Sequence, residues 1–231
     1  MKEKIIGILG GMGPYATIDL FKKIVELTPA KKDWEHLRII IDNNPKIPSR
    51  TRAVVLNDKD PAPMMQETAR NLEKAGADFI LIACNSAHYW YDEIKESVNI
   101  PVLNIIEETA RYIKESSPNI KKVGLLAGLV PVKANLYKKT FERFNIEVIH
   151  PENKNQKIVV KSIETIKLGK KEDQIRQDLL RVSDKLVEKG AEGIILACTE
   201  FPIVFKDYTY KVPIFDSDLI LAKAAVNLAR E

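Results

Sequence analysis

Cysteine and histidine are scarce in this 231-residue chain, with two of the first and three of the second. Two cysteines cannot staple a fold of this size, so no disulfide framework is expected. Neither belongs to a Cys-x-x-Cys pair, and His36, His88 and His150 lie far apart along the chain, so no metal site is expected either. Long apolar runs are missing as well. None approaches the roughly 20 residues that span a bilayer, and the stretch before Gly10 and Gly11 is too short for a signal peptide. A cytoplasmic protein without a membrane partner is the expectation. Charge of one sign is also lacking: 36 basic side chains oppose 32 acidic ones. The lysine pairs Lys22-Lys23, Lys138-Lys139 and Lys170-Lys171 are scattered, which reads as solvated surface and not as a nucleic-acid patch.

What the chain does have is a repeat. Gly76-Ala77-Asp78-Phe79-Ile80-Leu81-Ile82-Ala83-Cys84 recurs as Gly190-Ala191-Glu192-Gly193-Ile194-Ile195-Leu196-Ala197-Cys198, 114 positions later. Ile6-Gly7-Ile8-Leu9-Gly10-Gly11 recurs as Val123-Gly124-Leu125-Leu126-Ala127-Gly128 at an offset of 117, and Ile100-Pro101-Val102-Leu103-Asn104 as Val212-Pro213-Ile214-Phe215-Asp216 at 112. Three matches in one order imply two similar halves. Short apolar runs (Ile5–Leu9, Leu37–Ile41, Phe79–Ala83, Val123–Ala127, Ile194–Ala197) read as strands, most of them covered on both faces. Helical segments alternate with them: 16–27, 64–75, 109–116, 133–144 and 174–189. Gly76 and Gly190 each follow a last helical turn, where positive φ is favoured. The fold class is therefore α/β, with parallel sheets and right-handed crossovers. A ligand is expected near the carboxyl ends of the strands.

Both cysteines sit where a buried strand meets a polar turn, a place where backbone N–H groups and a helix N-terminus favour thiolate. One such cysteine is usually a small buried hydrophobe. Two at matched places suggest chemistry, because packing has no need of paired thiols. Two opposed bases can remove a proton from one face of a carbon acid and return one to the other, and this requires no cofactor. Arg50, in a proline-stiffened loop (45–52), and Lys167, at the end of a helical segment, are each either surface charges or carboxylate ligands. His88, four residues after Cys84, either holds that thiol or caps locally. Glu200, two after Cys198, either tunes its sulfur or faces solvent. A rival reading starts from Gly11-Met12-Gly13-Pro14-Tyr15-Ala16, which fits the G-x-G-x-x-G/A dinucleotide fingerprint, with Asp42 as ribose ligand for NAD or FAD. Pro14 argues against it by removing an N–H that would cradle a pyrophosphate.

Gly10-Gly11-Met12-Gly13-Pro14, Ala83-Cys84-Asn85-Ser86-Ala87-His88 and Ala197-Cys198-Thr199-Glu200 together resemble the aspartate/glutamate racemase superfamily, and its aspartate racemase branch in particular. The resemblance covers essentially the whole chain. It implies two similar Rossmann-like domains related by a pseudo-twofold axis, with the active site in the cleft between them. The domains would be 1–102 plus 214–231, carrying Cys84, and 103–213, carrying Cys198. It further implies a cofactor-independent amino-acid racemase, in several members a dimer and here expected as a homodimer, acting on aspartate and next on glutamate. Cys84 and Cys198 would be the acid/base pair. Met12, Arg50, Asn85, Ser86, Thr199 and Lys167 would hold the substrate, Arg50 through the likeness of Ile47-Pro48-Ser49-Arg50-Thr51 to the family's Ile-Pro-Asp-Arg-Thr, and Lys167 through Ile166-Lys167-Leu168-Gly169. His88 and Glu200 would support them. One departure is plain: the family's Thr-x-Gly-Thr turn is replaced by Gly128-Leu129-Val130-Pro131. That leaves two further readings, an amino-acid-binding or regulatory homologue without turnover and a related carbon-acid isomerase or decarboxylase.

Overall fold

The protein is described from a computed structural model, over residues 3–168, 173–205 and 209–231. Gly169, Lys170 and Lys171 lie outside the described residues. The chain divides into two compact units, 1–108 with 218–231, and 109–217.

The first unit carries β1 (Ile6–Gly10), α1 (Pro14–Leu27), β2 (Ile39–Asn43), α2 (Arg50–Leu56), α3 (Ala62–Lys74), β3 (Phe79–Ile82), α4 (Tyr91–Lys95), β4 (Val102–Leu103) and the start of α5 (Ile105–Ser116). Its four strands are parallel in the order β2-β1-β3-β4. The second unit carries β5 (Lys122–Ala127), α6 (Leu129–Lys133), α7 (Leu136–Glu142), β6 (Glu147–Ile149), α8 (Asn153–Lys167), α9 (Asp173–Glu188), β7 (Ile194–Ala197), α10 (Pro202–Phe205) and β8 (Ile214–Asp216), and α11 (Ser217–Arg230) follows. Its strands are parallel in the order β6-β5-β7-β8, the same order as in the first unit.

The repeat extends to the register. Gly7 pairs with Ile80 and Ile80 with Val102; their counterparts Gly124, Ile194 and Ile214 pair in the same way. Even a side-chain contact is duplicated. Asp78 accepts the Ile5 amide at 2.6 Å, and Glu192 accepts the amides of Lys121 and Lys122 at 2.6 and 3.1 Å. Each carboxylate takes the amides at the start of the neighbouring strand, which aligns the two strands at their amino ends.

Unit boundaries fall later than the sequence suggested, at 108/109 and 217/218 instead of 102/103 and 213/214. Hydrogen bonding explains the second shift. Ile214–Asp216 pairs with β7 and so belongs to the sheet of the second unit.

The central strands are apolar on both faces because helices cover both: β1, β3 and β7 are buried throughout, and β5 after its first residue. Ile6, Ile8 and Leu9 have no exposed surface, and burying each such side chain contributes roughly 1.5–3 kcal/mol. Strand β2 is a sheet edge and is only partly buried, so Leu37–Ile41 is replaced by a strand two residues later. Helix α1 buries Ala16, Leu20 and Ile24, one turn apart, and begins on Pro14, whose fixed φ suits a first helical position. Helices α3 and α9 both stop at a glycine with φ near +92°, Gly76 and Gly190. There the next amide, Ala77 or Ala191, reaches back to Leu72 or Leu186. The expected helix 133–144 is broken in two at Asn135, which takes a left-handed conformation between α6 and α7.

Candidate active site

In the first unit Cys84 leaves β3 in an extended conformation and caps a 3-10 turn, Asn85–Trp90. The Ala87 amide closes that turn on the Cys84 carbonyl at 3.2 Å. Asn85 is buried and Ser86 half-buried just beyond the sulfur. His88 contacts the backbone of Cys84 and not its sulfur. Its Nε2 accepts the Ile105 amide at 3.1 Å, so the ring proton lies on Nδ1 and is donated to the Cys84 carbonyl at 3.0 Å. Burial pushes its pKa down to about 4, despite hydrogen bonding to backbone, so the ring is neutral at neutral pH. His88 therefore holds the turn in place and does not polarise the thiol through charge.

Arg50 stands at the first position of α2, not in a loop, and the preceding Ser49 caps that helix by accepting the Arg52 amide at 3.3 Å. Ser49 and Asp are both good N-cap residues, so the change from the family pattern costs the helix little. The guanidinium donates to the carbonyls of Ile47, Pro48 and Met12 at 3.2, 2.7 and 3.2 Å. Its Nε is buried with no hydrogen-bond partner, an unspent donor on a cation. Met12 presents its backbone to Arg50, while its side chain packs in one apolar cluster with Ile47, Cys84 and Ala87. The turn after β1, the α2 entrance and the Cys84 turn are thus held together.

The glycine turn has a packing reason of its own. A Cβ on Gly11, which has φ +90°, would lie 2.3 Å from the Asn44 backbone. The Gly11 amide is taken by Thr17 Oγ1 at 2.9 Å, so it is not presented to a pyrophosphate. Asp42, the ribose candidate, accepts Asn71 Nδ2 at 3.4 Å. Among the described residues no group of three His, Cys, Asp or Glu side chains is placed to hold a metal.

In the second unit Cys198 leaves β7 as Cys84 leaves β3, but its surroundings differ. The Cys198 thiol donates to Glu200 Oε2 at 2.8 Å, and Thr199 Oγ1 donates to the same oxygen at 3.2 Å. Lys167, half-exposed at the end of α8, lies 3.7 Å from Glu200 Oε1. Burial raises the Cys198 pKa well above the usual thiol value. The Glu200 charge raises it further, and Lys167 opposes the rise. Burial first and then the carboxylate 2.8 Å from the sulfur both act against the thiolate that the strand-to-turn junction was expected to favour. Glu200 does not face solvent; it is 6% exposed.

Two side chains that the sequence reading passed over also shape these turns. Thr17 holds the glycine turn, and Gln156 donates from Nε2 to the Ala127 carbonyl at 2.9 Å, at the end of β5. The available signal was a polar residue on a mostly apolar stripe: Gln156 shares the buried face of α8 with Val159, Ser162, Ile163 and Ile166.

The model of the Asp/Glu/Hydantoin racemase family matches residues 9–225. The chain belongs to this family. It is 32% identical over 227 residues to the broad specificity amino-acid racemase RacX of Bacillus subtilis, across 96% of this chain and 97% of that one. Among solved structures it is similar to the Picrophilus torridus aspartate racemase, with a TM-score of 0.87 at 34% identity over 98% of this chain and 94% of that one. It is also similar to an aspartate racemase homologue from Pyrococcus horikoshii, with a TM-score of 0.81 at 30% identity over 99% and 100% of the two chains. The racemase family thus supplies the frame for both cysteine turns, and within that frame the second unit has an apolar turn after β5. Gly128, the N-cap of α6, and Pro131, which is buried beside Val130, stand where the resemblance led one to expect hydroxyls.

Proposed function

We propose that the protein is a cofactor-independent amino-acid racemase that inverts aspartate, and next glutamate, by a two-base mechanism on Cys84 and Cys198. The observation that carries this reading is the matched position of the two sulfurs. Each follows the strand beside β1 or β5 in sheets of the same order and register. A thiolate takes the α-proton and becomes a thiol; the other thiol delivers its proton to the opposite face of the carbanion and becomes a thiolate. Arg50, with a buried Nε to spare, and Lys167 bind the carboxylates and stabilise the charge that develops beside them. Met12, Asn85, Ser86 and Thr199 line the substrate, and His88 and Glu200 hold the two cysteine turns. The reading includes a cytoplasmic homodimer, for which light scattering gives the mass.

A second reading, a broader amino-acid range, is favoured by the apolar Gly128–Pro131 turn, which offers fewer polar contacts to a substrate side chain. Incubation of the reduced protein in D₂O with L-aspartate, L-glutamate and L-alanine, followed by NMR, tests both. Loss of the α-proton from aspartate and glutamate alone supports the first reading, and loss from alanine as well supports the second. No loss from any of the three leaves an amino-acid-binding homologue or a different carbon acid.

A further inference from the structure

The Gln156 side chain is a buried amide, 9% exposed, that uses one end and not the other. Its Nε2 donates to the Ala127 carbonyl at 2.9 Å, which anchors the amide at the carboxyl end of β5. Its Oε1 is buried with no hydrogen-bond partner. An unpaired acceptor of this kind costs about 1–3 kcal/mol, so its presence calls for a reason. The turn after Ala127 offers it nothing, because Gly128, Leu129, Val130 and Pro131 carry no side-chain donor. Ala127 pairs with Ala197, the residue before Cys198, so the amide marks the strand end beside that sulfur. Eleven residues further on, about three helical turns, nearly the same face of α8 carries Lys167.

We propose that Gln156 recognises the ammonium group of the substrate, accepting one of its N–H bonds on Oε1. Arg50 and Lys167 are donors and suit carboxylates, whereas an ammonium has three N–H bonds and needs acceptors. Glu200, the buried carboxylate of the Cys198 turn, already accepts from Cys198 and Thr199 on one oxygen and lies against Lys167 with the other. A carboxamide also suits the reaction better than a second carboxylate. It cannot take the ammonium proton, so the positive charge stays beside the α-carbon and stabilises the negative charge that develops as the α-proton leaves. The ligand class that follows is an α-amino acid, and not a dicarboxylate that lacks the amine. This assignment rests on the amino-acid reading for its substrate, but binding reads it without turnover.

The test is calorimetric titration of the reduced protein with racemic aspartate and with succinate, the same dicarboxylate without its amine. Gln156→Met is expected to cut the ratio of aspartate to succinate affinity about tenfold or more, the effect of one hydrogen bond to a charged group, chiefly through weaker aspartate binding. An amide that served only to hold β5 would weaken both ligands alike. An unchanged ratio, through equal losses or none, therefore overturns the assignment, as does a wild type that binds neither ligand. Should Gln156→Met fail to fold, Gln156→Asn decides on the same ratio, because it keeps the amide and withdraws it by one methylene. Exchange of the α-proton in D₂O separates this assignment from the reading beneath it. A ratio that falls in a protein exchanging no α-proton refutes the racemase reading and leaves Gln156 standing, and exchange with an unchanged ratio does the reverse.

Discussion

Arg50 donates from Nη2 to the Met12 carbonyl at 3.2 Å, linking two turns that are 38 residues apart in the chain. The bond fixes the guanidinium against the backbone and fixes the glycine turn against α2. Arg50 is thus part of the scaffold as well as a candidate carboxylate ligand, and a lysine cannot reproduce its planar fork.

Arg50→Lys is expected to raise KM for aspartate at least about tenfold, with a smaller effect on kcat. A net loss of one hydrogen bond from the charged donor, at roughly 1.5–3 kcal/mol, lowers Tm by about 3–12 °C. Steady-state kinetics and a thermal melt read both. An unchanged KM with a lowered Tm would reduce Arg50 to scaffold alone.

Cys84→Ala and Cys198→Ala are each expected to reduce racemisation by about 10²–10⁴-fold, the usual range for losing a positioned acid or base. Each variant retains α-proton exchange in D₂O for the one enantiomer whose proton faces the surviving sulfur. Full racemisation by either variant would rule out two bases.

His88 makes stability depend on pH with a calculable sign. Its folded pKa of about 4 lies below the ordinary 6.5, so the unfolded chain binds the extra proton first. Stability from the neutral buried ring is fully present above pH 6.5 and is lost as pH falls towards 4. The loss is on the order of 3 kcal/mol. Urea midpoints at pH 7 and pH 4.5 for wild type and His88→Gln measure it: the wild type is expected to lose more stability across that interval than the variant.

Gly11→Ala combines a strained φ of +90° with a Cβ 2.3 Å from backbone atoms of Asn44, and the fold has no slack there. A loss of about 3 kcal/mol or more is expected. Gly76→Ala has a similar φ but open space around its Cβ, so only the backbone strain remains, about 1 kcal/mol. Chemical denaturation of the two variants compares them directly.

Much of this was written in the sequence. Apolar runs covered on both faces identify parallel strands, because burial between helix layers leaves no polar side to mark. Matched runs at offsets of 112 to 117 show the duplication, and each matched pair occupies the same place in its sheet. Less legible were the edges. Strand β2 lies at a sheet margin with mixed exposure, and α2 begins at a residue whose run of prolines reads as loop, since N-capping by Ser49 depends on a conformation that local spacing does not reveal.

The sequence by itself determined the α/β class, the two-fold repeat of the frame and the position of each cysteine at a strand end. These follow from local periodicity and from apolar burial, which are properties of short segments. Only the tertiary structure decided what each sulfur and ring does. Cys198 is hydrogen-bonded to a buried carboxylate, and His88 is spent on backbone groups 4 and 17 residues away. Protonation depends on the charges and burial that folding brings around a group, and segments distant in the chain supply them.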